Sequence, residues 1–321
     1  MKAAVVTGPD TIPEYGEFSE PQVSDGYELV SLVAAGLHPI VRSLAAGQHY
    51  GSTQSWPLIP GVDVVARTRA GDFIYTGLVR PPHGTFAERM AVPKAMRIAL
   101  PPGADPVKVA GGLNPGLASW LALRTRVREI GSLGTVLVLG ATGMAGYLAV
   151  QHARLLGANR VVGVGRNPAR LARAASLGAA TVALSGNREA DAAGIVDALG
   201  GTTPSIVLDF LWASIAETAF ASLARRGLEE DTADIAYVQI GATAGPEAAV
   251  PAALLRSRRI RISGSGAGSA QVADIMAEVP IYMQLIADRS VDVPTKTVQL
   301  SSISEAWTAS AGGTHRIVVV P

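Results

Sequence analysis

The sequence predicts an α/β protein in which a doubly wound parallel sheet is inserted into a smaller, mostly β domain. Three observations carry that expectation. Turn residues crowd roughly the first hundred positions, short apolar runs then alternate with helical stretches, and the end of the chain returns to the first pattern.

In the first stretch, Leu29 to Ala35 reads as a strand, with weaker candidates at Val62 to Arg67 and Phe73 to Leu78. Gly36, Pro39, Gly47, Gly51, Pro57, Pro60, Gly61 and Gly71 punctuate the chain between them too often for long helices. The pattern changes near Pro106. Val107 to Ile130 suits one or two helices, with a break expected at Asn114-Pro115-Gly116. Strand-like Thr135 to Leu139 is then followed by a helix from Met144 to Leu156, and Val161 to Gly165 by a helix through Pro168 to Leu177. Thr181 to Leu184, Ser205 to Leu211, Ala236 to Ile240 and Ile260 to Ser263 continue the strands. Runs this short, alternating with helices, describe a parallel sheet covered on both faces. Beyond Gly268 come a helix (Val272 to Asp288), a strand (Thr295 to Leu300), a short helix and a last strand (Arg316 to Val320), which complete the first domain. The expected division is 1–108, 109–266 and 267–321.

Composition narrows the function classes. Lys and Arg number 27 against 26 Asp and Glu, a balance that does not favour nucleic acid or a membrane as partner. The Arg256, Arg258, Arg259 and Arg261 run lacks interleaved aromatics and leads into a strand, so it reads as a solvated face. With no cysteine, the chain has no disulfide, no thiolate nucleophile and no sulfur-ligated zinc. The apolar N-terminus stops at Gly8-Pro9, and no run approaches the roughly 20 residues of a membrane span. A cytoplasmic protein is expected.

The strongest chemical signal is Val136-Leu137-Val138-Leu139-Gly140-Ala141-Thr142-Gly143-Met144-Ala145-Gly146. A buried strand runs into a loop with glycines three apart, and a helix starts within it. Gly140 suits the tight turn, Gly143 lets backbone approach a pyrophosphate, and Gly146 lets the helix pack on the strand. Free N–H groups and the positive helix end then face the phosphates. The bland alternative is a strand–helix turn with no ligand. With a second strand following, the pattern is that of a Rossmann domain, and Gly140, Thr142, Gly143, Met144, Ala145 and Gly146 are the expected contacts.

The second strand ends in Val164-Gly165-Arg166-Asn167. An NAD site places a carboxylate there for the ribose 2′-hydroxyl, whereas Gly165 followed by Arg166 suits a 2′-phosphate. Arg170, one turn on, adds to the field. NADPH is therefore favoured over NADH. The alternative for Arg166 is a solvated loop residue.

The chain resembles the medium-chain dehydrogenases/reductases, in their zinc-free quinone-oxidoreductase branch. The resemblance rests on Ala34-Ala35-Gly36-Leu37-His38-Pro39, Ile59-Pro60-Gly61-Val62-Asp63, Gly84-Thr85-Phe86-Ala87-Glu88, and the phosphate loop with Leu148-Ala149-Val150-Gln151. It implies a GroES-like domain interrupted by the Rossmann domain, and a homodimer. Zinc-dependent relatives carry Cys near His38 and His-Glu where this chain has Val62-Asp63, so no metal is expected. Quinone oxidoreductases often show Asn at His38 and Asp at Val41. The resemblance also implies cofactor contacts from Gly165, Arg166, Asn167 and Arg170, from Phe210 and Leu211 (with Trp212 beside them), and from Ile240, Gly241 and Ala242, with Ser263-Gly264-Ser265-Gly266 lining the same cleft. His38 and Tyr50 are the candidate catalytic donors, each with a bland loop role as the alternative. The expected activity is hydride transfer from NADPH to a quinone or an α,β-unsaturated carbonyl. A non-redox cyclase or lyase, or a silent NADPH sensor, stands as the alternative because His38 and Val41 depart from the family.

Overall fold

The computed structural model describes residues 1–266, 268–309 and 315–321. The chain divides into two compact units, Met1–Pro115 with Val279–Pro321, and Gly116–Glu278.

The first unit opens with β1 (Lys2–Val5) and β2 (Glu14–Glu17), an antiparallel pair. β3 (Tyr27–Gly36) follows, then α1 (Pro39–Ala45), β4 (Asp63–Arg67), β5 (Phe73–Gly77), β6 (Arg89–Pro93) and β7 (Ile98–Ala99). β3 is the hub, pairing antiparallel with both β4 and β6. Its inward residues Val30 and Leu32 alternate with exposed Leu29 and Ser31, as expected of a half-buried strand, and a register shift between Leu32 and Ala34 precedes Ala35, which joins them with Val64, Ala66, Phe86 and Met90 in one core.

α2 (Pro106–Ile130) is a single helix with Pro115 inside it, so the break expected at Asn114-Pro115-Gly116 does not occur. Packing overrides the breaker. At Gly112 a Cβ would come within 2.5 Å of Val293, and at Gly111 within 2.6 Å of Thr295, so this helix lies against the returning chain at glycine distance. An interior proline costs about 3 kcal/mol, and burial along this helix offsets it.

The second unit alternates strictly. β8 (Thr135–Leu139), α3 (Met144–Leu155), β9 (Arg160–Gly165), α4 (Pro168–Ser176), β10 (Ala180–Ala183), α5 (Arg188–Leu199), β11 (Pro204–Asp209), α6 (Ala213–Leu223), β12 (Ile235–Gln239), α7 (Ala252–Ser257) and β13 (Ile260–Gly264) succeed one another. The strands form one parallel sheet in the order β10-β9-β8-β11-β12-β13. Every residue of β8 is buried, because both faces are covered. Val136 and Val138 point into a core shared with α3, whereas Leu137 and Leu139 point into a second core shared with α5 and α6. Leu139 pairs with Val164 on one side and Asp209 on the other, and Asp209 with Gln239. The carboxyl ends of four strands are therefore level, and the loops leaving them share one rim.

The chain returns through α8 (Val272–Ala287), β14 (Thr295–Gln299), α9 (Ile303–Ala309) and β15 (Arg316–Val320). β15 pairs antiparallel with β3 at Val318–Gly36 and Val319–Ala35, and parallel with β14. Among the described residues, no helix is long and apolar enough to cross a membrane.

Candidate functional site

Between β8 and α3 each of the three glycines answers a separate geometric demand. Gly140 has φ +97°, a left-handed conformation that suits glycine. A Cβ on Gly146 would collide with the Gly140 carbonyl and lie 2.8 Å from Ala141 Cα, so only glycine lets α3 start this close to the strand. At Gly143 a Cβ would meet only the Gly140 oxygen, at 3.6 Å. That position is exposed and offers a backbone surface with room in front of it. Gly143 is also the N-cap residue and supplies no capping side chain. The N–H groups of Met144, Ala145 and Gly146 accordingly make no hydrogen bond among the described residues, and they point from the positive helix end.

The loop is tied to β9. Gly140 and Ala141 both donate their N–H to the Val164 carbonyl at 2.9 Å. Gly165 leaves space for Thr142, whose methyl a Cβ there would strike. Arg166 follows on the surface, with no ion pair among the described residues. Asn167 plays a structural part, since its side chain accepts from Arg170 N–H at 3.0 Å and caps α4. Arg170 itself is half-buried in the first turn of that helix.

The loops after β11 and β12 complete the rim. Leu211 lies close enough to the phosphate loop that a Cβ on Gly140 would sit 3.2 Å from it. Gly241 faces the Phe210 carbonyl, which a Cβ would approach to 2.8 Å. Ile240 and Gly241 both donate to the Asp209 carbonyl, at 2.7 and 3.1 Å. Ser265 donates to Gln239, which carries the segment after β13 to the same end of the sheet. Residues 140–146, 165–170, 210–211 and 240–242 thus converge on the carboxyl ends of the strands, where ligands of such sheets bind.

Sequence reasoning passed over Asp209, which organises this rim. Its fully buried carboxylate accepts from Leu211 N–H (2.8 Å), Trp212 N–H (2.9 Å) and the Tyr237 hydroxyl (2.6 Å). Burial raises its pKa, and these three donors oppose the rise. They hold a strained turn, because Trp212 and Ala213 have φ of +61° and +48° although neither is glycine. Such conformations cost roughly 1–3 kcal/mol each. The Trp212 ring meets Phe220 and Tyr237 edge-on at 6.2 and 6.3 Å, which anchors the turn from its other side. The one signal in the sequence was a lone acid closing the apolar run Ile206-Val207-Leu208.

His38 and Tyr50 lie in the first unit. His38 precedes α1 as its N-cap residue and is only 1% exposed, with neither ring nitrogen hydrogen-bonded. Its Nε2 is 3.4 Å from Asp63 Oδ1. Asp63 spends its other oxygen on the Tyr75 hydroxyl, at 2.8 Å, and burial beside this carboxylate pushes the phenol's pKa well up. Val41, on the next turn of α1, is buried in the core. Tyr50 is 82% exposed and rests on His49 with ring centres 4.0 Å apart.

Comparison with known proteins places the chain. A protein-family model described as zinc-binding dehydrogenase matches residues 145–287. A probable NADPH-dependent quinone reductase of Emericella nidulans is 29% identical, the match covering 100% of both chains. The quinone oxidoreductase of Thermus thermophilus, solved alone and with NADPH, superposes with a TM-score of 0.80 at 26% identity over 100% of both chains. The chain is thus similar to quinone reductases over its whole length, and to the zinc-binding dehydrogenases over residues 145–287. A mycobacterial quinone oxidoreductase shares the fold with a TM-score of 0.80 at 21% identity, again over 100% of both chains. Although the matched model is described as zinc-binding, this chain presents a different donor set. His38 and Asp63 approach one another, but no group of three His, Cys, Asp or Glu side chains converges among the described residues. A catalytic zinc takes three protein ligands, so the residues present do not fit that metal.

Proposed function

We propose that this protein is an NADPH-dependent oxidoreductase that reduces a quinone or an α,β-unsaturated carbonyl without zinc. The observation that carries the reading is the open face of Gly143 beside three free N–H groups, with the unpaired Arg166 at the end of the neighbouring strand. A probable NADPH-dependent quinone reductase and a quinone oxidoreductase solved with NADPH, both similar to this chain, support the same reading.

Met144, Ala145 and Gly146 would hold the pyrophosphate through backbone N–H groups, assisted by Thr142. Arg166, with Arg170 behind it, would grip the 2′-phosphate through charge-assisted bonds. Phe210 and Leu211 would cover the adenosine, while the backbone of Ile240, Gly241 and Ala242 would orient the nicotinamide. Asn167 contributes by fixing the start of α4 under those arginines. When bound, NADPH supplies the hydride.

The charge that develops on the acceptor oxygen then needs a donor, and we assign that role to His38. A buried imidazole with no hydrogen-bonded nitrogen keeps its donor capacity for a ligand, and the Asp63 carboxylate, 3.4 Å from Nε2, favours the donor form of the ring. Tyr50, exposed on the loop after α1, is assigned to the outer contacts of the acceptor. We further propose a cytoplasmic homodimer, to be checked by light scattering. The test of the activity is consumption of NADPH with a panel of quinones and enones. His38→Leu should lower kcat about a hundredfold, or roughly 3 kcal/mol, whereas His38→Asn, which keeps a donor, should retain most of it. Acceptor turnover with no change in nicotinamide absorbance would contradict the redox reading.

A further inference from the structure

The first unit contains a cavity of about 350 Å³ beside α1, with Pro39, Arg42, Ser43, Gln48 and Trp307 in its wall. Arg42 stands one turn beyond His38 on the same side of the helix. Its guanidinium lies 4.9 Å from the centre of the Trp307 ring and donates one N–H to the Trp307 carbonyl. That contact fixes the side chain without neutralising it. Among the described residues no carboxylate is within ion-pair reach of Arg42, and no other hydrogen bond is made by its head group. The enclosed arginines of the second unit behave differently: Arg126 meets Glu129 at 2.9 Å and Arg258 meets Asp231 at 3.3 Å.

The charge around Arg42 is not compensated from the neighbouring strand either. Arg316 on β15 donates to the Leu37 carbonyl at 3.0 Å, and its Nε has no partner. Arg316 is attracted by Asp63, whose other oxygen is committed to Tyr75, and repelled by Arg42, so it adds a second positive charge near Arg42 rather than a counter-charge. Asp10 also lines the cavity, but it is exposed at the rim and screened by water. Partial burial already pulls the Arg42 pKa down, which marks a cation held short of a counter-charge.

We infer that this cavity binds a small carboxylate, gripped by the planar guanidinium of Arg42 with the Trp307 indole as its back wall. The guanidinium fork matches a carboxylate through parallel N–H···O bonds, and its stacking on the indole presents that fork in a defined plane. Proline, alanine and tryptophan surfaces leave an apolar slot for the remainder of the ligand, and the volume suits a molecule of about ten non-hydrogen atoms. The site stands on these residues alone and does not depend on the cofactor reading.

The test is a calorimetric titration of the full chain, free of NADPH, with benzoate, benzamide and inorganic phosphate. Saturable benzoate binding is expected, with benzamide at least tenfold weaker. Arg42→Gln should weaken benzoate at least tenfold. Ala46→Phe, which fills the cavity while leaving Arg42 in place, should do the same. Circular dichroism verifies that both variants are folded, and the benzoate/benzamide comparison on the unaltered protein decides the matter if either is not. Absence of saturable benzoate binding, equal binding of benzamide, or unchanged affinity in the two folded variants would overturn the inference. Inorganic phosphate binding more tightly than benzoate would overturn the assignment to a carboxylate.

Discussion

The phosphate loop and the surroundings of His38 are two polar sites built on opposite principles. In the loop, the chemistry belongs to the backbone, and the side chains matter chiefly by being absent: Gly140 turns, Gly143 leaves a face open, and Gly146 admits the helix. Around His38, the chemistry belongs to side chains brought from separate elements, with Asp63 on β4, Tyr75 on β5 and Arg316 on β15. A backbone site tolerates any residue that keeps its space open. A side-chain site fails when one partner leaves another buried and unpaired.

That difference can be broken deliberately. Among the backbone positions, the largest effect is expected at Gly146. Replacing it by Ala places a methyl against the Gly140 carbonyl, so α3 must move away from β8. Overpacking of this kind costs about 1–3 kcal/mol of stability. NADPH affinity should fall roughly tenfold or more, since each 1.4 kcal/mol is a factor of ten. Fluorescence titration and thermal unfolding on one sample separate the two effects.

His152 tests burial without a ligand. It lies on α3, fully buried, with Nδ1 3.0 Å from Ser119 Oγ, and burial pushes its pKa down to about 3 from 6.5. The unfolded chain therefore binds the proton that the folded chain refuses between these values, so stability is intact above pH 6.5 and lost as pH falls below it. By pH 5 the loss from this group should reach about 2 kcal/mol. His152→Gln should flatten the acid limb of a denaturation series, and an unaltered slope would remove His152 from it.

The smallest effect is expected at Tyr50. Its exposed ring makes Tyr50→Phe nearly neutral for stability, within about 0.5 kcal/mol. The account predicts a change in KM of about threefold or less, with kcat unaffected. A large loss of kcat would transfer the donor role from His38 to Tyr50.

The same contrast explains what was legible in the sequence. The alternation from Thr135 to Ser263 could be read because each β–α step places a short apolar run beside a helical period, and spacing alone marks the three glycines where β8 passes into α3. Gly165-Arg166 stands out for the same reason, as a strand end without an acid, and its part in cofactor binding is a proposal for the titration below to test. The helix through Pro115 was misread because its packing partners, Val293 and Thr295, lie far along the chain. The α5 helix escaped notice because its buried stripe of Asp191, Ile195 and Leu199 begins with an acid, and that acid is held by Ser185 and Gly186. Asp209 was missed on similar grounds. Its importance lies in the strained Trp212 turn that it restrains, which no local pattern announces.

Of all these residues, Arg166 bears most directly on the central claim. The decisive measurement is a fluorescence titration of the protein and its Arg166→Ala variant with NADPH and NADH. The account predicts tight NADPH binding that weakens about tenfold or more in the variant, consistent with loss of a charge-assisted contact of roughly 1.5–3 kcal/mol, while NADH binding stays unchanged. Failure of the protein to bind either nucleotide, or equal weakening of both in the variant, would contradict it.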